Sequence, residues 1–128
     1  MNVILSIKPK YAKSILSGEK KVEFRKTKFA RDVDRIYIYS SSPEQRIIGY
    51  FLIENIVEDT PEKLWRKFKD VGAVTRSDFF EYYSKKNIAY AIRIKSCKKF
   101  KRPINPKDLF EKFTAPQSYI YYEKNIKE

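Results

Sequence analysis

Hydrophobic and polar residues along the chain follow two periods, one typical of strands and one typical of helices. Period-two alternation predicts β-strands at 20–26, 35–39 and 88–102, and continuous apolar runs predict two more, at 3–7 and 46–57. Helical spacing predicts helices that begin at Pro9, at Pro61 and at Thr75 or Ser77, and a further short helix over 105–113. The aromatic segment 116–122 is expected to pack back onto the body of the protein.

The order of these elements does not fit a series of simple βαβ units. We therefore predict an α+β fold, a small mixed or antiparallel β-barrel of about five to six strands with flanking helices. Its 128 residues suffice for one core, and no repeat or linker divides them, so residues 1–128 are expected to form a single domain. Gly49 interrupts the fourth predicted strand, where we expect the barrel to bend.

The second predicted strand carries an unusual density of charge. Gly18 precedes it, where a left-handed helix cap would be favoured. Val22 and Phe24 point to one face of the strand, whereas Glu23 and Arg25 point to the other. Two interpretations stay open from the residues alone. The charged face is either a ligand site or a surface ion network of Lys21, Glu23 and Arg25 worth about 1 kcal/mol or less.

The chain has 28 Lys and Arg residues against 16 Asp and Glu residues, a net charge of +12. This excess favours a polyanionic partner, because lysines and arginines that meet phosphates release condensed counterions. A generally lysine-rich proteome is the alternative explanation. The basic balance thus points to a nucleic acid or a nucleotide as the partner.

Cys97 is the single cysteine, and the chain contains no histidine. Within one chain this excludes a Cys/His zinc site, a Cys–His nucleophile pair and a Ser-His-Asp triad. We expect neither a metal nor a cofactor. The apolar runs are too short to cross a bilayer and no signal sequence is evident, so a soluble, cytoplasmic protein without a membrane partner is expected.

Two signatures carry a family resemblance. Residues 6–12 (SIKPKYA) and 15–25 (ILSGEKKVEFR) contain a strand, a helix and a G-x-K-x-x-E-x-R pattern. The chain resembles the ASCH domain family, which is related to the PUA-like RNA-binding barrels. Residues 48–51 (IGYF) and 116–119 (PQSY) resemble a glycine-bearing strand and a C-terminal P-Q-S-aromatic segment of that family. The resemblance covers nearly the whole chain and implies a PUA-like β-barrel.

The resemblance also implies a cleft beside the turn at Gly18 that holds RNA or a modified nucleoside. Lys20, Glu23 and Arg25 would line this cleft, with Lys8 near its rim. In such a cleft Arg25 offers a planar fork for a phosphate or a base edge, and the Glu23 carboxylate could accept from an exocyclic amine.

Other candidate ligand contacts lie nearer the C-terminus and at a turn. Gln117 and Ser118 belong to the C-terminal signature. Tyr39, Tyr119 and Tyr121 flank turns or the chain end, where aromatic rings can stack on unpaired bases. The leading interpretation is therefore an RNA- or nucleotide-binding module, and a link to translation or transcription regulation is one setting for it.

The alternative is an enzyme with Lys20 and Glu23 in its active site. One branch that resembles this chain hydrolyses acetylcytidine with a Lys three residues before a Thr nucleophile, and other branches are ribonucleases. This chain has the Lys as Lys20 but Glu23 at the Thr position. The departure removes the attacking hydroxyl, which favours recognition over this amidohydrolase activity.

Overall fold

Six strands and three α-helices make up the fold in the computed structural model, which describes residues 1–128. The strands are β1 (Asn2–Ile7), β2 (Val22–Arg25), β3 (Arg35–Ser40), β4 (Arg46–Asp59), β5 (Ala89–Ile104) and β6 (Tyr119–Tyr122). The helices are α1 (Pro9–Leu16), α2 (Pro61–Phe68) and α3 (Arg76–Tyr82), with one 3-10 turn at Pro106–Asp108. None of the helices is long and apolar enough to cross a membrane.

All six strands form one curled sheet in the order β2-β5-β4-β3-β1-β6. β1 pairs with β3 in parallel, and every other pairing is antiparallel. The predicted α+β class and mixed barrel-like sheet are therefore confirmed, in the form of a half-barrel. Its edges are β2, which carries the charged stretch, and β6 near the C-terminus.

The C-terminal part of the chain departs from the prediction. The helix expected over 105–113 is wrong, because only the 3-10 turn forms there. Phe110 and Phe113 instead pack as partly buried rings against the core on one face of the sheet. The expected packing of the C-terminal aromatics is achieved by a strand, β6, whose residues pair with β1. Pairing with β6 gives hydrogen-bond partners to backbone N–H and C=O groups on the outer edge of β1 that would otherwise be left unpaired.

Three apolar clusters cover the two faces of the sheet. Ile15 of α1 belongs to the first cluster, together with residues of β1 and β3. Phe24 of β2 packs in the second cluster with Leu64 of α2 and Phe79 of α3. Phe100 of β5 belongs to the third, which the C-terminal segment completes. Consequently β2 is buried on both faces, whereas its alternation predicted a half-buried strand.

Gly49 is required by a close approach of two backbones. It lies at irregularities of register on both sides of β4, toward β3 and toward β5. A Cβ at this position would overlap the carbonyl oxygen of Lys98 and touch the side chain of Leu16. The bend expected here is thus a β-bulge into which only glycine fits without displacing β5.

Candidate functional site

Lys20 is buried immediately after the turn that follows α1. Gly18 makes this turn with φ of +86°, a conformation that glycine adopts readily. The Lys20 side chain is 3% exposed and donates from Nζ to the carbonyl oxygen of Gly72. Its Nζ also lies 5.0 Å from the ring centre of Tyr11 and 5.1 Å from that of Phe24. The ammonium is therefore enclosed by one carbonyl and two aromatic faces.

Glu23 is the carboxylate closest to this ammonium. The Lys20 Nζ to Glu23 Oε1 distance is 3.9 Å, and Glu23 is only 6% exposed. Burial lowers the pKa of Lys20 below its ordinary value, and the negative charge of Glu23 opposes part of that decrease. The alternative of a surface ion network of Lys21, Glu23 and Arg25 is therefore wrong. Glu23 pairs with the buried Lys20, whereas Lys21 is exposed to solvent.

Arg25 extends this ion pair to the other edge of the sheet. Its Nη1 lies 3.4 Å from Glu23 Oε2, and its Nη2 donates to the hydroxyl oxygen of Ser118 at 2.6 Å. The Arg25 side chain is 16% exposed. Ser118 is in turn held by β1, because its carbonyl oxygen accepts from the Ser6 amide at 2.9 Å. The guanidinium is thus fixed on two sides before any ligand binds.

Four of the expected site residues are therefore brought together in one continuous network. We call this network the charged seam: Lys20, Glu23, Arg25 and Ser118. Ser118 joins this network although it lies 93 positions from Arg25 in sequence. Two cavities of about 120 and 470 Å³ are lined by other residues, and Lys20 and Glu23 are buried, so these two side chains do not line an open cleft.

The remaining expected residues lie outside the seam. Lys8 is exposed at the N-terminal cap of α1, Gly18 is exposed at its turn, and Gln117 is exposed beside Ser118. Tyr119 is half-buried, with its ring centre 4.8 Å from that of Phe29.

Tyr39 does not have the exposure that base stacking requires. It is 3% exposed and belongs to the third apolar cluster. Its ring lies 5.3 Å from the ring of Phe113, centre to centre. The prediction failed because the segment around Phe113 covers this end of β3, and alternation alone cannot reveal such a cover.

Tyr82 and Tyr83, at the end of α3, are two neighbours of the seam that the sequence did not single out for function. The Tyr83 hydroxyl donates toward the carbonyl oxygens of Arg25 and Tyr90, at 2.9 and 3.3 Å. Burial raises the pKa of Tyr83 well above its ordinary range. Its contact with Arg25 crosses 58 positions in sequence, so no local pattern predicts it.

Tyr82 is 36% exposed, which is unusual for a large apolar side chain in this protein. The Lys26 ammonium lies 4.6 Å from its ring centre. Burial raises the pKa of Tyr82, an effect that the positive charge of Arg25 partly opposes. An accessible aromatic ring therefore lies beside Lys26 and packs against Tyr83, whose hydroxyl donates to the Arg25 carbonyl oxygen. No group of three or more His, Cys, Asp or Glu side chains is placed to hold a metal ion.

Sequence comparisons place this chain in a family. Residues 1–120 match a family model described as a domain of unknown function, DUF365. An ASCH domain-containing ribonuclease from Zymomonas mobilis is 30% identical over 94% of this chain and 84% of the relative. A large ribosomal subunit protein uL22 from Ureaplasma parvum is 31% identical over 85% of this chain. The chain spans only about a third of that protein, 34% of its length.

Solved structures agree with the sequence relatives. The crystal structure of ASCH from Zymomonas mobilis superposes with a TM-score of 0.89 at 29% identity, over 96% of this chain and 88% of that one. The N-terminal domain of Staphylothermus marinus McrB shares the fold alone, with a TM-score of 0.51 at 13% identity over 84% of this chain and 78% of that one. The match to the family model and the likeness to the Zymomonas mobilis protein over nearly the whole chain show that this chain belongs to the DUF365 family and to the ASCH domain family.

Proposed function

We propose that this protein is an RNA-binding ASCH module in which Arg25 contacts a phosphate or a base edge. The single observation that carries the proposal is the anchoring of the guanidinium, held by Glu23 at 3.4 Å and by Ser118 at 2.6 Å. An arginine that is already oriented loses little side-chain freedom when it binds a planar acceptor. The guanidinium has five N–H donors, and these two contacts leave others for a ligand.

Charge and family both support RNA as the class of ligand. The net charge of +12 attracts a polyanion from a distance and strengthens its encounter with the protein. The Zymomonas mobilis relative is named a ribonuclease, and the Ureaplasma parvum relative is named a ribosomal protein. A narrower role in translation or transcription stays a prediction, since this chain matches only a third of the latter protein.

RNA cleavage is a second candidate function, and the buried pair of Lys20 and Glu23 favours it. A lysine whose pKa is lowered by burial can serve as a general base, and a neighbouring carboxylate can exchange protons with the reacting groups. Neither side chain is open to a substrate in this structure, because Lys20 is covered by Tyr11 and bonded to Gly72. Binding at Arg25 requires no such opening, so it is the leading proposal.

The binding proposal is tested by titrating labelled single-stranded RNA with wild-type protein and with Arg25→Ala, followed by fluorescence anisotropy at several salt concentrations. We expect affinity to fall with salt, and Arg25→Ala to weaken it by about tenfold or more, since hydrogen bonds to charged groups contribute about 1.5–3 kcal/mol. Arg66→Ala is the matched control, because it removes the same charge from an exposed position on α2. Affinity that is flat across salt, or equal for the two variants, would contradict the proposal.

Cleavage is tested separately with Lys20→Met. Purified wild-type protein is incubated with end-labelled RNA and with acetylcytidine, and the products are separated by electrophoresis or chromatography. Turnover that persists unchanged in Lys20→Met belongs to a contaminant or to other residues, whereas turnover lost in that variant supports the second candidate. Circular dichroism of the variant shows whether the loss reflects chemistry or unfolding.

A further inference from the structure

A groove separate from the charged seam lies between the end of α2 and the sheet. Its volume is about 470 Å³, within the range of small-ligand sites. The chain following α2 is tied to the strand side, because the Lys21 amide donates to the carbonyl oxygen of Val71 at 2.8 Å. The Ile94 amide of β5 donates to the carbonyl oxygen of Lys21 at 3.0 Å. These bonds hold the walls of the groove in a fixed relation.

The groove opens on the face of β2 opposite to Glu23. Val22 pairs with Arg93 across the two antiparallel strands, so their side chains share a face, and both line the groove. Glu23 pairs with Ile92, whose side chain belongs to the first apolar cluster, whereas Val22 belongs to the second. No residue of the charged seam lines the groove.

Positive charge dominates the rim of this groove. Four of the residues that line it are cations, and Glu54 is its single acid; the cations are Lys21, Lys67, Arg93 and Lys95. None of these five side chains forms an ion pair. Lys67 also lies in the last turn of α2, where the helix dipole favours a cation. The anion site is therefore inferred from the other three cations, Lys21, Arg93 and Lys95. Their mutual repulsion is relieved when an anion binds between them.

The floor of the groove is apolar. It consists of Val22, Phe68, Val71 and Ile94, contributed by three separate segments of the chain. An apolar floor beneath a cationic rim suits a ligand that has both a flat hydrophobic part and a phosphate. A nucleotide unit of a single strand has this chemistry, since its base offers a π-face and its backbone one negative charge per residue.

We propose that this groove is a second RNA contact, in which Lys21, Arg93 and Lys95 bind backbone phosphates and the apolar floor receives an adjoining base. The inference rests on the proposed function, because it takes RNA to be the ligand. It adds a site on the other face of β2 that none of the residues of the charged seam lines. A strand that occupies both sites has to pass around the β2 edge of the sheet.

The test compares two variants that lose the same four charges. The groove variant replaces Lys21, Lys67, Arg93 and Lys95 by Gln, and the control replaces the exposed Lys107, Lys112, Lys124 and Lys127 by Gln. Affinity for a short oligouridylate is measured at several salt concentrations. We expect the groove variant to bind about tenfold more weakly. The slope of log affinity against log salt concentration should decrease in magnitude by about two, because three lost phosphate contacts each contribute about 0.7. The control is expected to stay within about threefold of wild type. Equal losses in the two variants, or no loss in the groove variant, would overturn the proposal.

Amide chemical shifts separate this proposal from the binding proposal at Arg25. Oligouridylate added to labelled wild-type protein is expected to shift the amides of Val71 and Ile94 in addition to those of Arg25 and Ser118. Shifts at Arg25 and Ser118 alone would contradict the groove proposal but would still support the proposed function. If no RNA binds at all, the proposed function fails. Inorganic pyrophosphate then tests the groove by itself. Pyrophosphate-induced shifts at Val71 and Ile94 that vanish in the groove variant support an anion site in the groove. The absence of such shifts in the wild-type protein overturns the anion site.

Discussion

Arg25 and Ser118 join the two edges of the sheet, with 2.6 Å between the guanidinium Nη2 and the serine hydroxyl oxygen. Arg25 ends β2 on one edge, and Ser118 immediately precedes β6 on the other. The six strands therefore curl far enough for a side chain from β2 to reach the segment that precedes β6. The proposed RNA contact lies at this junction, where a side chain from one edge is oriented by a hydroxyl from the other.

Ser118→Ala is predicted to weaken RNA binding without changing the fold. The variant loses one hydrogen bond that orients Arg25, so we expect a decrease in affinity of about fivefold, which corresponds to about 1 kcal/mol. Fluorescence anisotropy with single-stranded RNA measures the effect. Ser96→Ala, at an exposed position of β5, is the control and should bind as wild type does. If Arg25→Ala weakens binding and Ser118→Ala does not, the orienting role of the serine is wrong.

Glu23→Gln is predicted to lower the free energy of unfolding by about 3 kcal/mol at neutral pH. The substitution leaves the buried Lys20 ammonium without its carboxylate, and breaking one partner of a buried ion pair is strongly destabilising. Urea unfolding followed by circular dichroism measures the change. Lys21→Met alters the neighbouring exposed residue and should change stability by less than about 0.5 kcal/mol. Similar losses in the two variants would show that burial of the pair has no energetic role.

Stability should depend on alkaline pH through Lys20. Burial places the pKa of Lys20 below its ordinary value of 10.5, so the unfolded chain binds more protons at this residue than the folded one. The free energy of unfolding attributable to Lys20 therefore rises with pH, from the lowered pKa up to about 10.5. The stability of wild type relative to Lys20→Met should increase across that window in urea titrations. A difference that stays constant or decreases with pH would contradict the assignment.

Tyr82→Ala is predicted to weaken binding of single-stranded RNA, whereas Tyr82→Phe should retain it. The exposed ring of Tyr82 packs against Tyr83, which donates to the Arg25 carbonyl oxygen. It offers a surface for base stacking, which contributes about 1–3 kcal/mol per base. The loss should disappear with an abasic oligomer of the same length, because no base is then available to stack. Ile88→Ala, which truncates another exposed apolar residue, is the control. Equal weakening for RNA and the abasic oligomer would argue against stacking.

Two glycines should differ in their tolerance of alanine. Gly49→Ala is predicted to destabilise the protein by about 2 kcal/mol or more, because the new Cβ overlaps the backbone of β5. In Gly18→Ala the new Cβ meets no neighbouring atom. The left-handed backbone at this position should nevertheless destabilise the protein by about 1 kcal/mol, because alanine adopts it less readily than glycine. Urea unfolding of the two variants measures both effects. A larger loss for Gly18→Ala than for Gly49→Ala would contradict the close approach of β4 and β5.

Local patterns were sufficient for much of the architecture. Strand alternation and helical spacing predicted five of the six strands and the three α-helices, since these elements depend on side chains close in sequence. The 105–113 helix was wrong because Phe110 and Phe113 gain more from packing on the sheet than from a helix of their own. The strand β6 was missed as a strand because its pairing with β1 spans almost the whole chain.

The sequence by itself determined the charged residues of β2, the basic balance and the resemblance to the ASCH family. Only the tertiary structure decided how those residues are used. It buries Lys20 with Glu23, because β2 is covered on both faces, and it brings Ser118 to Arg25, because the curl of the sheet lets a side chain from one edge reach the other. It also packs Tyr82 against Tyr83, whose hydroxyl bonds to the Arg25 backbone, and it buries Tyr39 in the core. These outcomes depend on contacts between distant segments, which no local period encodes.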